Sequence, residues 1–256
     1  MPALEIIVLI VSFLLTSIIS VVTGSTSLIT VPVMFQFGIE PRGAIATNMF
    51  ALTFMSIGGA LPFLRTGAID RTRLPWLIGL TIVGSVLGAV LVLVTPAQAV
   101  PLIVSLAMVT IVLFSLVKRE AGVERSQVAP SRLAEYAAYV GTFALGIYGG
   151  FFSGGYVTLL TAVYIALFRM TFVEAVAITK VINVFSSAVA TLIFIGRGFV
   201  DYRLGLVLAA VMFIGATIGA RATLRISNTW LRRIFLTAVI ILALKTLLYD
   251  LAPMLR

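Results

Sequence analysis

The sequence predicts an all-α polytopic membrane protein. About eight transmembrane segments are expected, in two homologous repeats of four runs, the first run of each repeat broken by a Gly/Ser-rich stretch. Three observations carry this. Of 256 residues, 61% are hydrophobic and 11% charged, against about 25% charged in a soluble domain. The apolar residues fall into runs of roughly 20, the length that crosses ~30 Å of hydrocarbon as helix and too long for barrel strands. Several Gly and Asp positions recur at a fixed offset along the chain.

Leu4–Val22 opens the chain. It carries Glu5 where a cleaved leader would carry Lys or Arg, so a retained span is expected. Thr23-Gly24-Ser25-Thr26-Ser27 interrupts the run, which resumes over Leu28–Phe37 with Pro32 inside. As one helix, Leu4–Phe37 would be ~51 Å long. It must break, tilt steeply or turn back. Further runs follow at Ala44–Leu64, Leu74–Val94 and Gln98–Val117, and then a polar loop, Lys118–Arg132.

The second half repeats this order: Leu133–Phe168, broken in its middle, then Phe172–Ile195, Leu204–Leu224 and Trp230–Leu251. A shift of 131 residues places Gly24 on Gly155, Gly67 on Gly198, Asp70 on Asp201, Gly84 on Gly215 and Gly88 on Gly219. The expected organisation is a first repeat over residues 1–117, a linker over 118–132 and a second repeat over 133–256.

Direction is left open by the sequence. With each long run as one span, about 11 Lys/Arg share a side with the termini and about 6 lie opposite. With each broken run doubling back, the halves become inverted repeats, the tally is about 12 against 5, and the termini lie outside.

Composition also excludes chemistry. There is no Cys and no His, which removes disulfides, thiolates, imidazole bases and most transition-metal sites. No cofactor is expected. The net charge of +9 sits between apolar runs, as cytoplasmic loop charge does, so the partner is lipid rather than nucleic acid. An embedded hydrolase would have to use Ser153 with Lys180 as its base, and no enzyme is expected.

The stretch Gly146 to Tyr156 holds five glycines in eleven residues, each costing about 1 kcal/mol in a helix interior. Broken backbone at membrane depth persists only where protein or a wet cavity satisfies it. Gly154, Gly155 and Tyr156, with Gly24, Ser25, Thr26 and Ser27 in the first half, are therefore candidate site residues. The competing reading is close packing through small residues. Helices restarting at these breaks would aim N–H groups and a positive dipole end at an anion.

Lys180 lies well inside the run Phe172–Ile195, at a cost of about 2.5–3.5 kcal/mol on insertion scales. Snorkelling, or pairing with Glu174, would be the structural alternative. Thr179, Asn183 and Ser186 fall on one helical face bordered by Lys180 and Ser187. The matching run of the first half offers Thr47 and Asn48, then Ser56. The expected partner of these groups is a small anion. Gly84/Gly88 and Gly215/Gly219 are read as packing pairs, and Gly67–Asp70 and Gly198–Asp201 as interfacial turns capping the next helix.

Several of these strings resemble the TauE/SafE family of sulfite-exporter-like permeases, over nearly the whole chain. They are Gly146-x-Tyr148-Gly149-Gly150-Phe151-Phe152-x-x-Gly155, Thr179-Lys180-x-x-Asn183-x-x-Ser186, Gly198-x-x-Asp201, and Gly215-Ala216-x-x-Gly219-Ala220-Arg221. The first half departs, its glycine-dense string thinned to Gly24-Ser25-Thr26-Ser27 with Pro32 kept. The resemblance implies a multi-pass transporter of the cytoplasmic (inner) membrane for sulfite or another organosulfur or sulfonate anion. A passive anion channel and a membrane scaffold or assembly factor without transport are the alternatives. A homodimer is one assembly to test.

Overall fold

In hydrocarbon each apolar run must satisfy its own backbone, and helices do this within the segment. The computed structural model describes residues 3–24, 26–100, 102–103, 106, 129–227, 229–230, 233–234 and 237. Among these residues there are eight α-helices and no strand. They are α1 (Ala3–Thr23), α2 (Ser27–Gln36), α3 (Pro41–Ala60), α4 (Leu74–Val94), α5 (Arg132–Phe151), α6 (Tyr156–Leu167), α7 (Phe172–Ile195) and α8 (Tyr202–Thr223). Among the described residues five helical segments are long and apolar enough to cross a membrane: Leu4–Thr23, Pro41–Arg65, Leu74–Val94, Phe172–Ile195 and Tyr202–Thr223. Most of the expected runs 98–117 and 230–251, and of the loop 118–132, lie outside the described residues.

Local chemistry sets the helix ends. Glu40 caps α3 by accepting from the Gly43 N–H at 2.7 Å, with Pro41 at the first helical position. Thr171 and Glu174 form a reciprocal capping box on α7. Asp201 caps α8 by accepting from the N–H groups of Arg203 and Leu204, and Asp70 accepts from Thr72 and Arg73 just before α4. The turns before these two Asp residues are opened by Gly67 (φ 71°) and Gly198 (φ 70°).

α3 and α7 form the centre, while α1, α4 and α8 surround it. The apolar windows of α3 and α7 are 72% and 61% buried, against 39–44% for α1, α4 and α8. The outer helices show continuous apolar stripes, such as Leu4, Ile7, Val11, Leu15 and Ile19 on α1. Such faces suit lipid rather than water.

Residue contacts give the direction of each helix. Gly215 of α8 lies on Leu14 and Ser17 of α1, and Gly219 on Ile18 and Val21, so α1 and α8 run parallel. The Asp201 N–H donates to Thr47 Oγ1 at 3.0 Å, Gly205 meets Phe50, and Gly58 meets Phe213 and Thr217. Hence α3 is parallel to α8, and therefore to α1. Two consecutive long helices can share a direction only if the chain returns between them, and α2 is that return.

Across the centre the direction reverses. Thr53 meets Thr191 at 3.3 Å, Ser56 accepts from Asn183 Nδ2 at 2.6 Å, and Gly59 faces the stem of Lys180. As one residue number rises the other falls, so α3 and α7 are antiparallel. Gly84 of α4 packs on Phe143–Ile147 of α5 and Gly88 on Ile147–Phe151, which makes those two parallel. A methyl at Gly88 or Gly219 would collide with the carbonyl of Ile147 or Ile18. Both small-residue pairs therefore bring backbones into contact, α4 against α5 and α1 against α8.

Candidate functional site

The two breaks touch. α1 closes with the Gly24 N–H donating to the Ser20 carbonyl at 2.8 Å. Gly24 then adopts φ 71°, and a Cβ there would stand 2.6 Å from the Thr158 nitrogen. Thr158 Oγ1 donates to the Thr23 carbonyl at 2.5 Å, joining the first turn of α6 to the end of α1. In the second break Phe152 is extended and Gly155 has φ 75°, while Tyr148 OH donates to the Gly154 carbonyl at 2.5 Å. The Gly24 N–H and the Thr23 and Gly154 carbonyls thus find partners inside the protein.

The glycines before the second break do separate jobs. A Cβ on Gly149 would strike the ring of Tyr156, and one on Gly150 would strike the backbone of Ser85. Gly154 fits against the Phe152 ring and Leu28 of α2. The stretch is packing and break at once: Gly149 and Gly150 admit Tyr156 and α4, and Gly155 turns the chain.

The short helices are tied to the central pair by matching hydroxyls. Asn48 of α3 accepts from Thr30 at 2.8 Å and donates to Ser27 at 2.9 Å, both on α2. Thr161 of α6 lies 3.5 Å from Thr179 of α7. Thr26 donates to Met55 Sδ at 3.5 Å. Ser25 lies outside the described residues. Thr47 is remote from the breaks, since it holds the start of α8.

The polar string on α7 does not act as one face. Thr179 points to α6, Asn183 to Ser56 of α3 and Ser186 to Ser85 of α4, at 2.8 Å. Ser187 donates back to its own helix, to the Asn183 carbonyl. Residues within about 60° on a helix diverge here because α7 is packed by several helices at once.

Lys180 is 1% exposed. Its Nζ donates to the Ser20 carbonyl at 3.0 Å, in the last turn of α1. That end of a helix carries partial negative charge, which favours a cation. Glu174 is not its partner, being held by the N–H and hydroxyl of Thr171 at 2.9 and 3.0 Å. Among the described residues the ion pairs are those of Arg73 with Asp70 and Glu135, and none involves Lys180. An ammonium has three donors, and one is used by Ser20.

Thr81 and Ser85 of α4 escaped the sequence reading. Both are fully buried, and they stand four apart on the face that carries Gly84 and Gly88. That spacing within an otherwise apolar run was the available signal. Three buried polar atoms near α7 have no hydrogen-bond partner: Thr81 Oγ1, Tyr156 OH and Asn183 Oδ1.

A cavity of about 380 Å³ opens at the membrane face where α3 ends and α7 begins, lined by Gly67, Asp70, Arg73, Phe168, Arg169 and Glu174 among others. Arg73 bridges Asp70 and Glu135, each at 2.6 Å, and lies over the Phe168 ring. Burial alone would raise the Asp70 carboxyl, but the Thr72 N–H and the Arg73 guanidinium hold it below the usual carboxylate range.

A family model described as sulfite exporter TauE/SafE matches residues 8–246. The chain is 28% identical over 237 residues to the probable membrane transporter protein YfcA of Escherichia coli K12, covering 93% of this chain and 87% of that protein. It is 26% identical over 216 residues to a probable membrane transporter protein of Haemophilus influenzae, with 84% of each covered. To the probable membrane transporter protein YdhB of Bacillus subtilis it is 25% identical over 236 residues, 91% of this chain and 96% of that one. No solved structure gives a significant match.

Proposed function

This chain belongs to the sulfite exporter TauE/SafE family of membrane transporters, and we propose that it is a secondary transporter carrying a small anion, a sulfur oxyanion or sulfonate, through a site between its two halves. The observation that carries this reading is Lys180, wholly buried with a single carbonyl as its hydrogen-bond partner and without a carboxylate at ion-pair distance among the described residues. A cation at this depth is costly unless an anion comes to it. The first turn of α6 adds a positive dipole end beside the contact between the breaks.

The halves are inverted repeats in this proposal, spanning 1–117 and 133–256. Support comes from the antiparallel α3 and α7, the return of the chain by α2, and the shared φ of Gly24 with Gly155 and of Gly67 with Gly198. Rocking of one half against the other around the touching breaks would alternate access. The face with Arg65, Arg71, Arg73, Arg132, Arg169, Arg221 and Arg225 is cytoplasmic, against Arg42, Arg197 and Arg203 opposite.

The test is a thermal-shift screen of purified protein with sulfite, thiosulfate, sulfate, sulfoacetate and simple carboxylates, followed by labelled-anion flux in proteoliposomes. Stabilisation by a sulfur oxyanion, with saturable flux that shows counterflow, supports the proposal. Non-saturable flux would make the protein a channel. No stabilisation and no flux by any of these anions would leave the scaffold reading.

A further inference from the structure

We propose that the anion's oxygens are held by a hydroxyl cluster of Thr81, Tyr156 and Ser186, present on one side of the molecule only. This deepens the transport reading and rests on it. Tyr156 is the first residue of α6, and its ring lies on Gly149. Its hydroxyl is buried beside Thr81 and Ser186 yet makes no hydrogen bond of good geometry with either. Thr81 Oγ1 is equally unpartnered. Ser186 is linked to Ser85, which leaves one further hydrogen-bond position on its oxygen.

Buried polar groups are ordinarily paired, because leaving one unmade forfeits its hydration without return. Two unpaired hydroxyls at 0% exposure, converging with a third, form donors awaiting acceptors. Hydroxyl donors without a carboxylate among them select an oxygen-rich anion over a cation. Being neutral, they add direction rather than charge; in this proposal the charge comes from Lys180, six residues before Ser186 on α7 and donating to Ser20 of α1.

The other half shows what the cluster is for. Shifted by 131, Thr81 becomes Met212, Ser85 becomes Ala216, and Ser186 becomes Met55. Met212 and Ala216 are buried, and Met55 is 2% exposed. The counterparts of Thr81, Ser85 and Ser186 are thus apolar, while that of Tyr156 is Ser25, which lies outside the described residues. One oxyanion is therefore held off-centre, against α4, α6 and α7.

Tyr156→Phe and Thr81→Val test this, each removing one hydroxyl at nearly constant shape. Sulfite is the probe, read by thermal shift and by KM for labelled sulfite in proteoliposomes. Each variant is expected to raise KM about tenfold and to melt, without sulfite, at or above the wild-type temperature. Thr81→Ser, which restores the hydroxyl, is expected to recover the wild-type KM. If sulfite binds the wild type and both hydroxyl-deleted variants alike, the cluster holds water or nothing, and this inference is overturned. If the wild type itself neither binds nor moves sulfite, the transport reading of this anion fails instead.

Discussion

The Lys180 ammonium donates to the Ser20 carbonyl at 3.0 Å, across 160 residues of sequence. The same carbonyl accepts the Gly24 N–H that closes α1. One main-chain oxygen therefore joins the buried cation to the point where the first helix breaks.

Lys180→Met should separate charge from packing. Deleting an unpaired buried charge for a similar apolar volume is neutral or stabilising in folded proteins. The melting temperature is expected to hold or rise, while sulfite flux in proteoliposomes drops at least about tenfold, the loss of roughly 1.4 kcal/mol of interaction with the anion. Flux equal to wild type would remove Lys180 from the site.

The packing glycines divide by their surroundings. Gly88→Ala and Gly219→Ala drive a methyl into a carbonyl of the neighbouring helix, and each should cost about 1–3 kcal/mol. Gly79→Ala has open space around its Cβ and lies within α4, so it should stabilise by up to about 1 kcal/mol. Unfolding of the purified protein in detergent ranks the three. Gly88→Ala as stable as wild type would contradict the close approach of α4 and α5.

Arg169 is the one non-glycine residue with positive φ among those described, at 58°. The position 131 earlier is Gly38, at φ 73°. Arg169→Gly should relieve about 1 kcal/mol of backbone strain, partly offset by the freer unfolded chain. A clear loss of stability in a melting experiment would mean that the guanidinium makes contacts that outweigh the strain.

Absence of native Cys makes orientation directly measurable. Arg71 and Arg197 are exposed at opposite ends of the bundle. In intact cells an impermeant maleimide should label Arg197→Cys and leave Arg71→Cys until the membrane is opened. The reverse pattern would invert the assigned sidedness.

Much of the fold was legible because its signals are local. The third and sixth runs were bounded at Leu74–Val94 and Phe172–Ile195, and α4 and α7 have those bounds. Length and hydropathy, with Asp70 before α4 and the Thr171 cap on α7, set them without reference to any neighbour. Gly24 and Gly155 stood out because glycine is costly in a helix, and both do turn the chain. Thr81 and Ser85 did not stand out, since single hydroxyls are tolerated in spans and only a partner reveals a role.

What the sequence by itself determined is where helices start, break and stop, and that Lys180 is buried. Those follow from backbone hydrogen bonding and transfer cost, which each segment meets alone. Tertiary structure decided the direction of the helices, the contact of the two breaks, and the three-way division of Thr179, Asn183 and Ser186. A helical run reads alike whichever way it crosses, and its facing residues acquire partners only when other helices pack against them. The return through α2, and with it the antiparallel centre, exists in contacts such as Gly58 on Phe213 and Ser56 on Asn183.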